Sequence, residues 1–403
     1  MIKNNPQYIH IISISHDWQR YHRKEFTKSL AQSVSNWSKV ICFEPPVSLF
    51  LHTLFRYPRK FLDWILGRLR LREVENGIII FTPFMFTHFL FASKIKFLSL
   101  VEKKILNIQI KRVLKKLGLL DVFKILWLMI PDQFHFIGIA DEDLIVYDCY
   151  DEYTYESVNN LPLKNKIRDE TALIKKSDLI LTTANSLQEK CVRYNKNSHL
   201  ITNAANIEIF AKTRNSNTKI ASDIVDIKKP VIGYVGNFRN WIDFDLIRFL
   251  IDEHPEWSFV FIGGCARDCK STLEQLLKKT NFFHLGYKDH IVLPSYLKAF
   301  QVGLIPFALK KVTESVVPYK LFEYLAAGCP VVATPLPDLM RYRHVIEVAE
   351  TKEDFSRAIQ NVLINGNKKL EQRIQFAREN SWKSRTDDIN TLLLKLIRNS
   401  PKT

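Results

Sequence analysis

The chain has 403 residues, 46% of them hydrophobic and 25% charged, which suits two or three ordinary globular domains of about 150 residues each. No run of about 18 apolar residues is free of charge, which excludes a spanning helix, and the longest candidate, 81–93, runs into Lys94 and Lys96. The net charge is +16, and residues 51–116 carry fourteen basic against four acidic side chains, +10 of that total.

Taken from the N-terminus, short β-rich runs alternate with helical periodicity. This order predicts an α/β protein with parallel sheets. Ile11, Ile12 and Ile14 form too short an apolar core for a signal peptide and read as a first buried strand, 8–15. Further strands are expected at 40–43, 77–81, 125–130, 144–147, 178–182 and 200–201, with helices at 22–36, 108–117 and 186–194 between them. Between these elements, Phe55, Phe61, Trp64, Ile65, Leu69, Phe86, Phe89, Phe91 and Phe97 interleave the basic residues of 51–116. A basic amphipathic surface of that kind suits an anionic membrane, at about 1 kcal/mol per basic residue near the lipid. Nucleic acid is the rival polyanion, but no motif supports it and no such partner is expected. Asp151 follows the 144–147 strand, where open α/β sheets place ligands, and Asp148 and Glu152 crowd the same edge. His135, in Phe-His-Phe, reads as a packed histidine.

The polar stretch 211–229, ending at Pro230, reads as a linker, after which the alternation restarts. Strands are expected at 231–235, 258–262, 282–285, 302–305, 331–334 and 345–348, a helix capped by Thr351 with Asp354, and a last helix at 387–397. Cys265 and Cys269 form a lone CxxxC without a second ligand pair, and the six cysteines fit a reducing cytosol. Asp243-Phe-Asp245 has a metal-motif spacing but opens a helix as a cap, so no metal is expected.

The sharpest pattern runs from Ser315-Val-Val-Pro318-Tyr-Lys320-Leu-Phe-Glu323 to Gly328-Cys-Pro330-Val-Val. A loop enters a helix at Pro318, a suitable first helical residue, and the helix N-terminus can hold a phosphate. Lys320 and Glu323, three apart, share one face. Lys can neutralise a diphosphate and Glu can accept hydrogen bonds from ribose hydroxyls. Gly328 ends the helix.

With these residues the sequence resembles the retaining glycosyltransferases of family four, which have the GT-B fold. Glu323 matches the second Glu of their signature, which in that family contacts the nucleotide ribose. Ser315 stands where the first Glu is usual, with Glu314 one residue earlier. Gly233-Tyr-Val-Gly236-Asn237-Phe-Arg239 is similar to the family's first C-domain strand and glycine turn, with Arg239 offset from the usual phosphate-binding Arg. Asn203-Ala-Ala-Asn206 stands where Asn-Gly-Val-Asp is common, and Ser13-Ile-Ser-His16-Asp17-Trp18 replaces the glycine-rich first turn. The Pro-x-Lys-x-x-Glu-Tyr variant resembles the teichuronic-acid-type members that act in bacterial surface-polysaccharide assembly.

The resemblance implies two Rossmann-like domains facing a cleft: 1–210 for the acceptor, with 386–403 returning to it, and 230–385 for a nucleotide-sugar donor. The donor falls to Gly236, Asn237, Arg239, Ser315, Pro318, Lys320 and Glu323, the chemistry to Asp151 and Glu314, and the acceptor side to His16, Asp17 and Trp18. No cofactor beyond the donor is implied. A peripheral cytoplasmic enzyme acting on a glycan or lipid-linked acceptor is expected, with retention and without metal. The rivals are a non-catalytic GT-B scaffold and a nucleotide-sugar epimerase or hydrolase.

Overall fold

In a computed structural model, residues 7–34, 38–48, 58–67, 71–87 and 95–400 are described. Phe55, Leu69, Phe89, Phe91 and Lys94 lie outside them, as does the side chain of Phe61. The first half forms β1 (Tyr8–Ser13), β2 (Ser38–Phe43), β3 (Val47–Ser48), β4 (Leu71–Glu73), β5 (Ile79–Phe81), β6 (Phe84–Met85), β7 (Phe123–Leu128), β8 (Leu144–Cys149), β9 (Leu179–Thr182) and β10 (Ser198–Leu200). Eight of these make one sheet in the order β10-β9-β8-β7-β1-β2-β5-β4, while β3 and β6 pair separately. All pairs are parallel except the edge strand β4, which runs antiparallel to β5. Central strands such as β1 are buried along their whole length, as continuous apolar runs must be when helices cover both faces of a parallel sheet.

The second half repeats the plan with β11 (Val231–Val235), β12 (Ser258–Ile262), β13 (Phe282–His284), β14 (Val302–Ile305), β15 (Val331–Ala333) and β16 (Glu347–Val348), all parallel. Its order, β13-β12-β11-β14-β15-β16, reverses direction between β11 and β14. The first sheet reverses in the same way between β1 and β7. Ligands of open α/β sheets bind outside the carboxyl ends of the strands at such reversals. The turns after β1 and β11 are therefore the places to look.

The two lobes are tied together by the chain's last helix. Expected at 387–397, it spans Trp382–Arg398, with Ser381 accepting the Ser384 N–H as its cap. Trp382, Ile389 and Leu393 enter the core on one face of the first sheet, beside Phe26 and Trp127. The helix placed at 22–36 occupies Lys24–Ser33, and the one placed at 108–117 is twice as long, Lys96–Lys116. Within the linker 211–229, Ile224 is buried in the core of the second lobe, and Ile220, Ala221 and Ile227 pack against it. The polar composition of that stretch hid its few apolar anchors.

In the basic region, Trp64 turns inward, its indole donating to the Thr82 carbonyl at 3.0 Å and stacking on Phe84. Leu62, Ile65, Leu66, Phe86, Ile95, Phe97 and Leu100 are exposed, Phe97 to 76%. Among the described residues no helix is long and apolar enough to cross a membrane.

Candidate active site

β11 leads into Gly236, whose φ of 146° is a conformation that glycine adopts without strain. A Cβ there would stand 2.7 Å from Lys320 Nζ and 3.0 Å from the Tyr234 hydroxyl. The turn is thus moulded onto an ammonium. Asn237 contributes its carbonyl, which accepts the Tyr234 hydroxyl at 3.2 Å.

Lys320 lies in the first turn of the helix Tyr319–Ala327 and is only 9% exposed. Its ammonium lies 3.9 Å from the Tyr234 ring centroid and 4.6 Å from that of Phe307. Among the described residues it has no hydrogen-bond or carboxylate partner. Burial lowers its pKa to about 7, with Glu323 pulling weakly the other way. Although Lys320 and Glu323 stand three apart, they are not paired with each other. The helix docks Lys320 inward because Tyr324, one turn further on, accepts the Val235 N–H at 2.7 Å and so ties the helix to β11. Glu323 instead pairs with His290 Nε2 at 2.8 Å. Burial works against that imidazolium, but the bond and charge of Glu323 raise the His290 pKa above its ordinary value.

Pro318 is the residue before the helix, not its first turn, with ψ of 142°, and Gly328 closes the far end with φ of 78°. Ser315 is buried, and its hydroxyl meets that of Ser186 in the other lobe at 2.9 Å. Glu314 ends the short helix Lys311–Glu314 and pairs with Lys311 at 2.7 Å, towards solvent. Arg239 is exposed and lies over the Trp241 ring, 5.2 Å from its centroid. Asp243 caps the helix Phe244–Glu253 by accepting the Leu246 N–H at 2.9 Å.

In the first lobe, Asp151 stands two residues past the carboxyl end of β8. Its carboxylate accepts the Glu152 N–H at 2.9 Å. Burial raises its pKa to about 7; that hydrogen bond and Lys190 oppose the rise, and the Glu152 charge adds to it. Lys190 bridges Glu152 at 3.0 Å and Glu170 at 2.7 Å, which stiffens the turn from below. His16 is exposed, bonded to the Ser15 hydroxyl at 3.0 Å, with its ring 5.5 Å from that of His22. Burial leads in depressing both imidazoles, and the positive charge of Arg239 from the other lobe adds to it. The turns after β1 and β11 thus face each other across the cleft. Asp17 flanks the 3-10 turn Trp18–Arg20 on the same wall. Trp18 does not line it: only 6% exposed, it packs into the core, and its backbone N–H donates to Glu44 Oε1 at 2.8 Å. Of the three residues assigned to the acceptor side, Trp18 is the one that the turn folds under.

Sequence reasoning missed Arg23, whose guanidinium is buried where the lobes meet. Nε and Nη2 grip Asp148 at 2.5 and 3.0 Å, while Nη1 reaches Asn203 at 3.1 Å and the Tyr319 hydroxyl at 3.0 Å. Rings of Phe26, Tyr150 and Trp382 surround it at 4.6, 5.0 and 5.7 Å. Burial opposes its charge, but Asp148 and Tyr319 hold its pKa above the ordinary arginine value. Asp148, grouped with Asp151 by sequence, is the closed half of this pair and not a cleft group. No spacing rule marks a lone Arg at the entrance to an amphipathic helix.

A family model described as glycosyl transferases group 1 matches residues 229–365, the lobe that carries Gly236, Lys320 and Glu323. The Bacillus subtilis (strain 168) glycosyltransferase TuaH, named for teichuronic acid biosynthesis, is 27% identical over 273 residues, 64% of this chain and 68% of its own. Among solved structures, sucrose-phosphate synthase from Thermosynechococcus elongatus superposes with a TM-score of 0.70 at 15% identity, covering 98% of this chain and all of the other. Anabaena HepE in complex with UDP gives 0.64 at 12% identity, covering 96% of this chain and 100% of its own. The E. coli trehalose-6-phosphate protein bound with UDP-2-fluoro glucose gives 0.67 at 11%, covering 96% of this chain and 98% of its own.

Proposed function

Since the chain belongs to the glycosyl transferases group 1 family and is a GT-B, nucleotide-sugar-dependent glycosyltransferase, we propose that it places the donor diphosphate on Lys320 and builds a bacterial surface polysaccharide. One observation carries the donor site: a buried ammonium without an anionic partner, pressed against a glycine turn beneath a helix N-terminus. An isolated buried charge is costly, and an arriving diphosphate supplies the missing counter-charge. The likeness to TuaH supports the polysaccharide assignment.

In this reading Gly236, Asn237 and the amides near Ser315 and Pro318 cradle the phosphates, Arg239 swings in from the cleft mouth, and Glu323 exchanges His290 for the ribose. Lys320 and the helix dipole stabilise the departing diphosphate, so neither metal nor further cofactor is required. The acceptor hydroxyl enters over the first lobe near His16 and Asp17. Asp151 is poised to take its proton, because a group with a pKa near 7 is an effective base at neutral pH. Glu314 would have to release Lys311 to reach the sugar. The new bond forms on the face the diphosphate leaves, which retains the anomeric configuration.

The exposed apolar side chains from Leu62 to Leu100, with the basic helix Lys96–Lys116 behind them, support a peripheral site on the inner face of the membrane. That placement suits a lipid-linked acceptor.

The test is a thermal-shift screen with UDP-, GDP-, CMP- and dTDP-sugars on wild type and Lys320→Ala. One nucleotide should stabilise wild type and not the variant. Equal stabilisation of both proteins would remove Lys320 from the site. Turnover of donor without any acceptor would favour a hydrolase or epimerase.

A further inference from the structure

Three hydrogen bonds join residues 315–319, the entrance to the donor helix, to the other lobe. Ser315 meets Ser186, the Val317 carbonyl accepts from Asn203 Nδ2 at 2.7 Å, and the Tyr319 hydroxyl accepts from Arg23. The last two converge on one side chain, because Arg23 also donates to Asn203. Arg23 itself is locked to Asp148 in β8, the strand that delivers Asp151. Trp382 of the returning helix closes the group, with its ring 5.8 Å from Tyr319 and 5.7 Å from Phe26.

We propose that Arg23 is a positioning residue for the donor: through Asn203 and Tyr319 it clamps residues 317–319, and so the amides and ammonium of the donor helix, to the acceptor lobe. The inference rests on the donor-site assignment above. Only arginine can fill the place. A planar fork can donate to a carboxylate oxygen, an amide oxygen and a phenol at once, with Nε in ion-pair contact with the second carboxylate oxygen, while its flat faces lie against aromatic rings. The ammonium of lysine, a single point, cannot span these partners. The arrangement also links the two halves of the reaction. The side chain that holds the donor loop holds the strand leading to Asp151, so a shift of one lobe reaches the other through a rigid, desolvated contact.

Two measurements on the full chain test this. Hydrogen exchange of the 316–321 amides, without ligand, is compared in wild type, Tyr319→Phe, Asn203→Ser and Arg23→Lys. UDP affinity is then titrated in the same proteins. Tyr319→Phe keeps the ring in place and should leave Tm within about 2 °C. It should nevertheless speed exchange at 316–321 and weaken UDP about fivefold to tenfold. Arg23→Lys should not rescue either property, even where it folds. A bond with a merely structural role would move Tm and leave UDP affinity unchanged. Unaltered local exchange in Tyr319→Phe and Asn203→Ser overturns the clamp, and so does faster exchange with an unaltered UDP affinity. If wild type binds neither UDP nor GDP, CDP or dTDP, the donor assignment fails, and the exchange comparison still decides whether the clamp exists.

Discussion

Arg23 and Lys320 are both cations withdrawn from water, one at the junction of the lobes and the other at the turn after β11, and they are equipped in opposite ways. Arg23 has a carboxylate on two of its nitrogens, two neutral acceptors on the third and rings around it. Lys320 has two aromatic faces and, among the described residues, no anion in contact. The consequence appears in their proton affinities: that of Arg23 is raised, whereas the pKa of Lys320 falls to about 7. A buried charge held by its counter-ion belongs to the architecture. An unpaired one is a stored cost that a ligand can relieve, which is why we read Lys320 as the donor site.

The sharpest way to break this contrast is to remove each cation in turn. Arg23→Met leaves Asp148 buried and alone, and unfolding measured in denaturant should show a loss of about 3–5 kcal/mol. Lys320→Ala should leave the fold intact and cut turnover about a hundredfold or more, read in a donor-consumption assay. Near-normal turnover there would end the assignment. Lys320→Met should then do what no Arg23 variant can, raising Tm by roughly 2–4 °C at neutral pH as the unpaired charge disappears.

Titration sharpens the contrast further. A folded pKa of about 7, below the ordinary 10.5 of lysine, means that the unfolded chain holds more protons between those values. Wild-type stability should therefore rise with pH across about 7 to 10.5, and Lys320→Met should flatten that slope. Diphosphate affinity should run the other way, weakening by up to about tenfold per pH unit above 7 as the ammonium loses its proton. Asp151, raised to about 7, predicts turnover that climbs with pH through the same region. Asp151→Asn should abolish that limb and keep nucleotide affinity. The smallest effect lies at the surface. Replacing Phe97 and Leu100 with serine should change stability by no more than about 0.5 kcal/mol while reducing sedimentation with anionic vesicles. Unchanged sedimentation would remove the membrane placement.

How much of this was legible from the amino-acid order follows from the range over which each signal acts. The alternation of short apolar runs with 3.6-residue periodicity specified two parallel α/β lobes, because burial of both sheet faces demands unbroken apolar strands; β11, β12 and β14 begin and end where the sequence places them. Local chemistry was equally readable: Gly328 ends its helix, Thr351 and Asp243 cap theirs, and Gly236 makes its turn, since backbone geometry at a few adjacent residues decides each. Direction and partnership were not readable. Whether Lys320 met Glu323 or the Gly236 turn, whether Trp18 lined the cleft or the core, and which side chains of 211–229 packed on the second lobe were settled by neighbours far along the chain. Arg23 finds Asp148, Asn203 and Tyr319 at separations of 125, 180 and 296 residues. No local pattern encodes such contacts, and only the closing of the two lobes brings them within hydrogen-bonding reach.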